Sequence, residues 1–310
     1  MAFQNHFPIF ASFLLLLLLH LSTLPNPSLA TTRKLTSLFT QPALVLDYHN
    51  GPLLKGDLRV DIIWYGSFSS HQHSIITNFI RSLGSGSASP PSVASWWQTT
   101  ANYKGGPSNI VLGKQTVDQN CSLGKSLTSS QVLDLASKPP YKNRIKVVLT
   151  AADVTVDQFC MICGSHDFGY AKPKVNRGKF AYAWVGNPAN QCPGQCAWPF
   201  YRPEFGPQTT LVAPNGDGAL DGMVINLATV LAGVVTNPFN NGYYQGPQGG
   251  LEAVTACAGL YGPGSFPGNV GSVMVDPATG ASYNAQGVNG CKYLLPAMWD
   301  PVTSACLTIV

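Results

Sequence analysis

Apolar runs separated by Gly- and Pro-rich breaks divide the chain into a sheet-forming first half and a loop-rich second half. Asp57 to Gly66 (DLRVDIIWYG) is rich in β-branched and aromatic residues and predicts a strand. Ser70 then predicts a helix cap, and Ile75, Ile76, Phe79, Ile80 and Leu83 recur on one helical face. A second helix is expected over 92–103, a strand over 108–117, and a short helix capped by Thr128 and finished before Pro139. Arg144 to Thr150 (RIKVVLT) and Phe180 to Val185 (FAYAWV) predict buried-type strands. Between them 160–176 reads as irregular and Cys-bearing, and after them 187–208 reads as a Pro-rich, disulfide-type loop. Asn215-Gly216-Asp217-Gly218 predicts a turn whose Asp217 caps a long apolar helix to about Val235, ended by Asn237-Pro238. A shorter helix is expected around Leu251 to Cys257, then an irregular tail with short strands at 271–275 and 292–295. The order β-α-α-β-α-β predicts a mixed α/β (α+β) domain, a partly parallel sheet layered with helices, with long disulfide-tied loops.

The N-terminus changes the setting. Met1 to Ala30 carries no Lys, Arg, Asp or Glu, and Phe13 to Leu19 is an apolar block as short as a signal-peptide core. Ser28-Leu29-Ala30 offers small residues at a cleavage site, so 1–30 is expected to be a signal peptide removed after Ala30. Residues 31–47 then read as a flexible lead-in and 48–310 as a single domain. The apolar stretch from Met223 to Val235 is read as too short to span a bilayer, so no membrane span is expected after cleavage. All eight Cys lie beyond residue 30, and an even number in an exported chain reads as disulfides of unspecified pairing. Cys160-Met161-Ile162-Cys163 and Cys192 to Cys196 have a spacing tolerable for zinc, but the compartment favours disulfides. Asn120-Cys121-Ser122 is the single N-glycosylation sequon, which places a sugar on Asn120.

Composition narrows the function classes. Only 10% of residues are charged, and Gly (31) and Pro (24) are abundant, which predicts long ordered loops rather than surface ion pairs. A net charge of +4 spread without any Lys/Arg run leaves no nucleic-acid footprint. Catalytic motifs are mostly missing. There is no Gly-x-Ser-x-Gly elbow, and Ser165-His166-Asp167 are too close in sequence to converge as a triad. Gly124-Lys125-Ser126 ends like a phosphate-binding loop, but Gln119 stands where that motif needs its first Gly. His71-Gln72-His73 at a helix start reads as exposed polar sequence, and Asn215, Asp217 and Asp221 as turn plus cap rather than a calcium loop. No carboxylate pair stands out, which leaves glycoside hydrolysis open. No catalytic residue, metal ligand or cofactor is therefore assigned. Trp198, Tyr243 and Tyr244, on Gly/Pro-rich segments, are the candidate ligand-facing aromatics.

Four longer motifs carry a resemblance. Tyr48-His49-Asn50-Gly51-Pro52-Leu53-Leu54, Asn215 to Met223 (NGDGALDGM), Val235-Thr236-Asn237-Pro238-Phe239 and Lys292 to Ala297 (KYLLPA) resemble the plant phosphate-induced protein 1, or EXORDIUM-like, family. The resemblance covers nearly the whole chain after the lead-in. It implies a secreted protein of the apoplast or cell wall linked to cell expansion and growth, and it supplies no biochemical activity.

A second resemblance bears on mechanism. Thr229 to Pro238 (TVLAGVVTNP), followed by Gly242-Tyr243-Tyr244 and Glu252, is similar to the catalytic helix of secreted zincin-like metallopeptidases. On that alignment Thr229 and Val230 replace the metal His and general-base Glu, Gly233 replaces the next Glu, and Glu252 and His166 remain as polar relics. It implies a zincin-like fold whose catalytic helix has become apolar core. The preferred expectation is a non-catalytic factor binding a wall polysaccharide or a cell-surface protein. The alternatives are a hydrolase or transferase on wall polymers and a degenerate metallopeptidase-like protein.

Overall fold

The structure, a computed structural model, describes residues 44–86, 89–171 and 178–310. The expected signal peptide lies outside these residues. Of the expected lead-in only 44–47 is described, and it is not a loose segment: Leu46 is buried in the core and Asp47 opens the first strand. In chain order the elements that matter here are β1 (Asp47–Tyr48), β2 (Gly56–Tyr65), α1 (Ser70–Leu83), α2 (Val93–Trp97), β3 (Ser108–Asp118), β4 (Ser126–Leu127), α3 (Ser129–Ala136), β5 (Arg144–Thr150), β6 (Thr155–Val156), β7 (Gly164–Tyr170), β8 (Lys179–Gly186), α4 (Pro193–Cys196), α5 (Gly218–Thr236) and β9 (Tyr243–Tyr244). Residues 44–310 form one compact unit.

A five-stranded sheet in the order β3-β2-β5-β8-β7 is the centre of the fold. Its first four strands are parallel, and β7 runs antiparallel along the edge. Strand alternation then divides the side chains. Val60, Ile62, Trp64, Ile145, Val147, Leu149, Ala181, Ala183 and Val185 share one cluster with α1 and α5. Ile63, Tyr65, Val148, Phe180 and Trp184 point the other way and pack with Leu127, Val132, Leu135 and Ala136 of the β4–α3 region. The result is a three-layer sandwich, as the alternation of strands and helices predicts.

Local chemistry explains the helix starts. Ser69, one residue earlier than expected, caps α1 in a capping box with Gln72. Ser92 with Ser95 does the same for α2, and Thr128 with Gln131 for α3. The expected second helix is α-helical only over Val93–Trp97 and tightens to 3-10 geometry over Gln98–Asn102. Asp217 caps α5 by accepting from Leu220 N (3.1 Å) and also accepts from the Gln72 side-chain amide Nε2 (3.1 Å), which joins the starts of α1 and α5. His71 adds a bond to the Asn215 carbonyl (2.9 Å), and His73 packs on the Trp64 ring, so this pair is structural.

Helix α5 corrects one reading. With 19 residues it is, among the described residues, long and apolar enough to cross a membrane. It is instead the core helix, with most of its residues buried against the sheet and under the C-terminal loops. The last stretch of chain departs from expectation in detail. Of the helix expected over 251–257 only a 3-10 turn at Thr255–Cys257 forms, and a hairpin pairs Met298–Asp300 with Ala305–Leu307.

Three disulfides staple the loops: Cys160–Cys192, Cys163–Cys196 and Cys257–Cys306. The expectation that all cysteines pair is corrected at two positions. Cys121 and Cys291 are free thiols, the first buried and the second partly so.

Candidate functional site

A largely buried polar centre forms where β7 meets the end of α5. In the β7–β8 register His166 lies opposite Ala183, whose side chain belongs to the face covered by α5. His166 is thereby aimed at the helix. Its Nε2 lies 2.6 Å from Glu252 Oε2, and its side chain is 8% exposed against 17% for that of Glu252. The second carboxylate oxygen, Oε1, accepts from Asn237 Nδ2 at 2.6 Å. Asn237 ends α5, donating its backbone N–H to the Gly233 carbonyl (2.7 Å), while its Oδ1 accepts from Gly242 N (2.7 Å). Glu252 N donates to Thr255 Oγ1 (2.7 Å), fixing the turn that presents the carboxylate.

Gly233 makes room for this pair. A Cβ at that position would stand 2.5 Å from both Glu252 Oε2 and His166 Nε2. The structure therefore brings together Gly233, His166 and Glu252. It does not bring Thr229 or Val230 to the pair as donors: Thr229 Oγ1 donates to the Ile225 carbonyl (2.9 Å), and Val230 is core. Both Glu252 oxygens and His166 Nε2 have protein partners, so the cluster links the sheet edge, the end of α5 and the 252 turn. His166 Nδ1 is buried without a partner. Among the described residues no three His, Cys, Asp or Glu side chains are grouped as a metal site requires. Asn237 was legible only as a helix terminator; nothing local marks it as the partner of a residue fifteen positions on.

The candidate aromatics separate. Tyr243 is core, stacked on Tyr48 (5.0 Å) and edge-on to Tyr103 (4.8 Å), and its hydroxyl accepts from Lys104 N (3.3 Å). Tyr244 stacks on His49 with ring centres 3.6 Å apart. The ring of Trp198 instead lines a groove of about 370 Å³ with Phe266, Pro199, Pro207 and Leu211. Phe266 is 57% exposed, and the remaining lining includes Thr209 and Asn269 and, among the described residues, no Asp, Glu, His, Lys or Arg. Disulfides position this groove, since Trp198 follows Cys196, which is tied to Cys163 at the start of β7. Asn120 is exposed on the turn after β3.

No solved structure matches this fold, so the zincin-like expectation gains no support from comparison, and the architecture stands as a mixed sheet with helices and three disulfides. Sequence comparison gives a consistent answer. The chain is 56% identical over 282 residues to the EXORDIUM-like 2 protein of Arabidopsis thaliana, spanning 88% of this chain and 92% of that one. It is 52% identical over 319 residues to the EXORDIUM protein of the same plant, at 97% and 99% coverage. It is 53% identical over 293 residues to the PHOSPHATE-INDUCED 1 protein of Nicotiana tabacum, at 90% and 93% coverage. Residues 46–309 match the family model described as the phosphate-induced protein 1 conserved region, and the chain belongs to the phosphate-induced protein 1 family.

Proposed function

We propose that this chain is a secreted protein of the plant apoplast and cell wall that regulates cell expansion and growth by binding a wall component without turning it over. The observation that carries this reading is the Trp198–Phe266 groove. Its aromatic faces and amide and hydroxyl groups suit the apolar faces and hydroxyls of neutral sugar rings. A wall-polymer hydrolase would need two carboxylates flanking the bound sugar, and the groove is lined by none. The His166–Glu252 pair fits a structural role, because its hydrogen bonds tie three segments together and it packs directly on Gly233. Three disulfides fit an oxidising compartment, and the exposed Asn120 fits a glycan.

The test is retention of the secreted glycoprotein on insoluble neutral wall glucan. Phe266→Ala should lower retention severalfold while leaving the melting temperature unchanged, because Phe266 is mostly exposed. Trp198→Ala should lower it further. Equal retention of all three proteins would rule this groove out.

A further inference from the structure

A second concave surface lies at the N-terminal ends of the parallel strands. A cleft of about 420 Å³ gathers Lys55, Lys142, Arg144 and Lys179 around a floor that includes Leu58, Phe180 and Phe239. Among the described residues, no Asp or Glu lines it. These cations are scattered along the sequence and meet only through the fold. Lys55 precedes β2, Lys142 precedes β5, Arg144 opens β5, and Lys179 opens β8. An adjoining hollow shares Leu58, Lys142, Asn143 and Arg144 with the cleft and adds Arg59 and one acid, Asp57.

Charge balance leaves this surface positive. Among the described residues, Lys55, Lys142 and Lys179 make no ion pair. Arg144 Nη1 is bound by Asp61 Oδ1 (2.6 Å), but the same carboxylate also holds Lys146 Nζ (2.9 Å), so one positive charge of that trio is uncompensated. Lys179 Nζ sits 3.9 Å from the Phe168 ring centre, which places its cation without neutralising it. Lys55, Lys142 and Lys179 are exposed.

We propose that this cleft binds a carboxylate-bearing sugar chain, an oligouronide, with the ring faces against the apolar floor and successive carboxylates on the lysines. Cations spread around an apolar floor match an anion repeated along a chain of rings. A compact oxyanion would be better served by convergent backbone N–H groups. The inference builds on the reading of the chain as a wall-binding protein, but the cleft and the Trp198 groove share no lining residue, so each can fail alone.

The experiment is titration of the secreted, glycosylated chain with hexagalacturonate, with cellohexaose and with inorganic phosphate, each at low and raised salt. Hexagalacturonate should bind saturably, weaken as salt rises, and bind about tenfold or more weakly to the Lys55→Ala/Lys142→Ala double variant. Phe266→Ala should leave that binding unchanged. Absence of hexagalacturonate binding, equal affinity for phosphate, or an unaffected double variant would each overturn the proposal. Cellohexaose bound through the Trp198 groove alongside no uronide binding would overturn it while leaving the proposed function in place.

Discussion

Asp221 shows how one carboxyl can set the pH response of the fold. It is 3% exposed in the first turn of α5 and accepts from Asn215 N (2.9 Å) and Asn215 Nδ2 (2.6 Å). Burial pushes its carboxyl up to about 7, against the opposing pull of those two hydrogen bonds. Its folded value lies above the unfolded one, so its contribution is fully present below the unfolded value near 4 and is lost as pH rises through about 7. The chain should therefore unfold at higher denaturant at mildly acidic pH than at mildly alkaline pH, by on the order of 3 kcal/mol from this group. Asp221→Asn should remove most of that difference, and denaturant titrations across the range measure it. At Gly233, Ala would gain about 1 kcal/mol of helix propensity but would wedge apart His166 and Glu252, whose charge-assisted bond is worth about 1.5–3 kcal/mol. Gly233→Ala should be destabilised by about 1–2 kcal/mol on balance, and His166→Ala combined with it should show strong non-additivity. The sequence shows Asp217 as a cap and Asn215 as a turn residue, because those roles depend on close neighbours. It does not show that Asp221 is buried, because that depends on the turn folding back over α5.

The elements divide by the range of the forces that form them. Strands β2, β5 and β8 and helices α1, α3 and α5 are legible because apolar periodicity and capping are local. Strand β7 (GSHDFGY) is not, since it is polar, contains two glycines and sits at a sheet edge. Tertiary contacts impose it: Gly169 leaves room for the Phe180 ring, which lies 2.5 Å from where a Cβ would stand. Cys163, immediately before it, is anchored to Cys196. The two disulfides here close segments of 32 and 33 residues, and each should contribute about 3–4 kcal/mol by restricting the unfolded chain. Removing both by Cys→Ala substitution should expose β7 amides to hydrogen exchange before those of β2 and β5. Simultaneous loss of protection across the sheet would show that the staples do not act on the edge.

At the scale of the whole molecule, the proposed binding surfaces are ones that no segment carries alone. The polar pair His166 and Glu252 is eighty-six positions apart, and Trp198 reaches its groove partner Phe266 only across the disulfide-tied loops. Composition gave a weak net charge with no basic run, yet the topology collects cations at one end of the sheet. Family membership is legible from contiguous motifs, but those motifs encode turns, caps and core: NGDGALDGM starts α5 and KYLLPA buries Tyr293, Leu294 and Leu295. This is why they identify the family and leave its ligand unstated. The central claim is binding without turnover. It is tested most directly by incubating the secreted chain with soluble neutral wall oligosaccharides and following bound ligand and newly formed reducing ends in the same samples. Saturable binding that Phe266→Ala weakens, with no reducing ends above the protein-free control, is the predicted result. Reducing ends that accumulate in proportion to protein would contradict it.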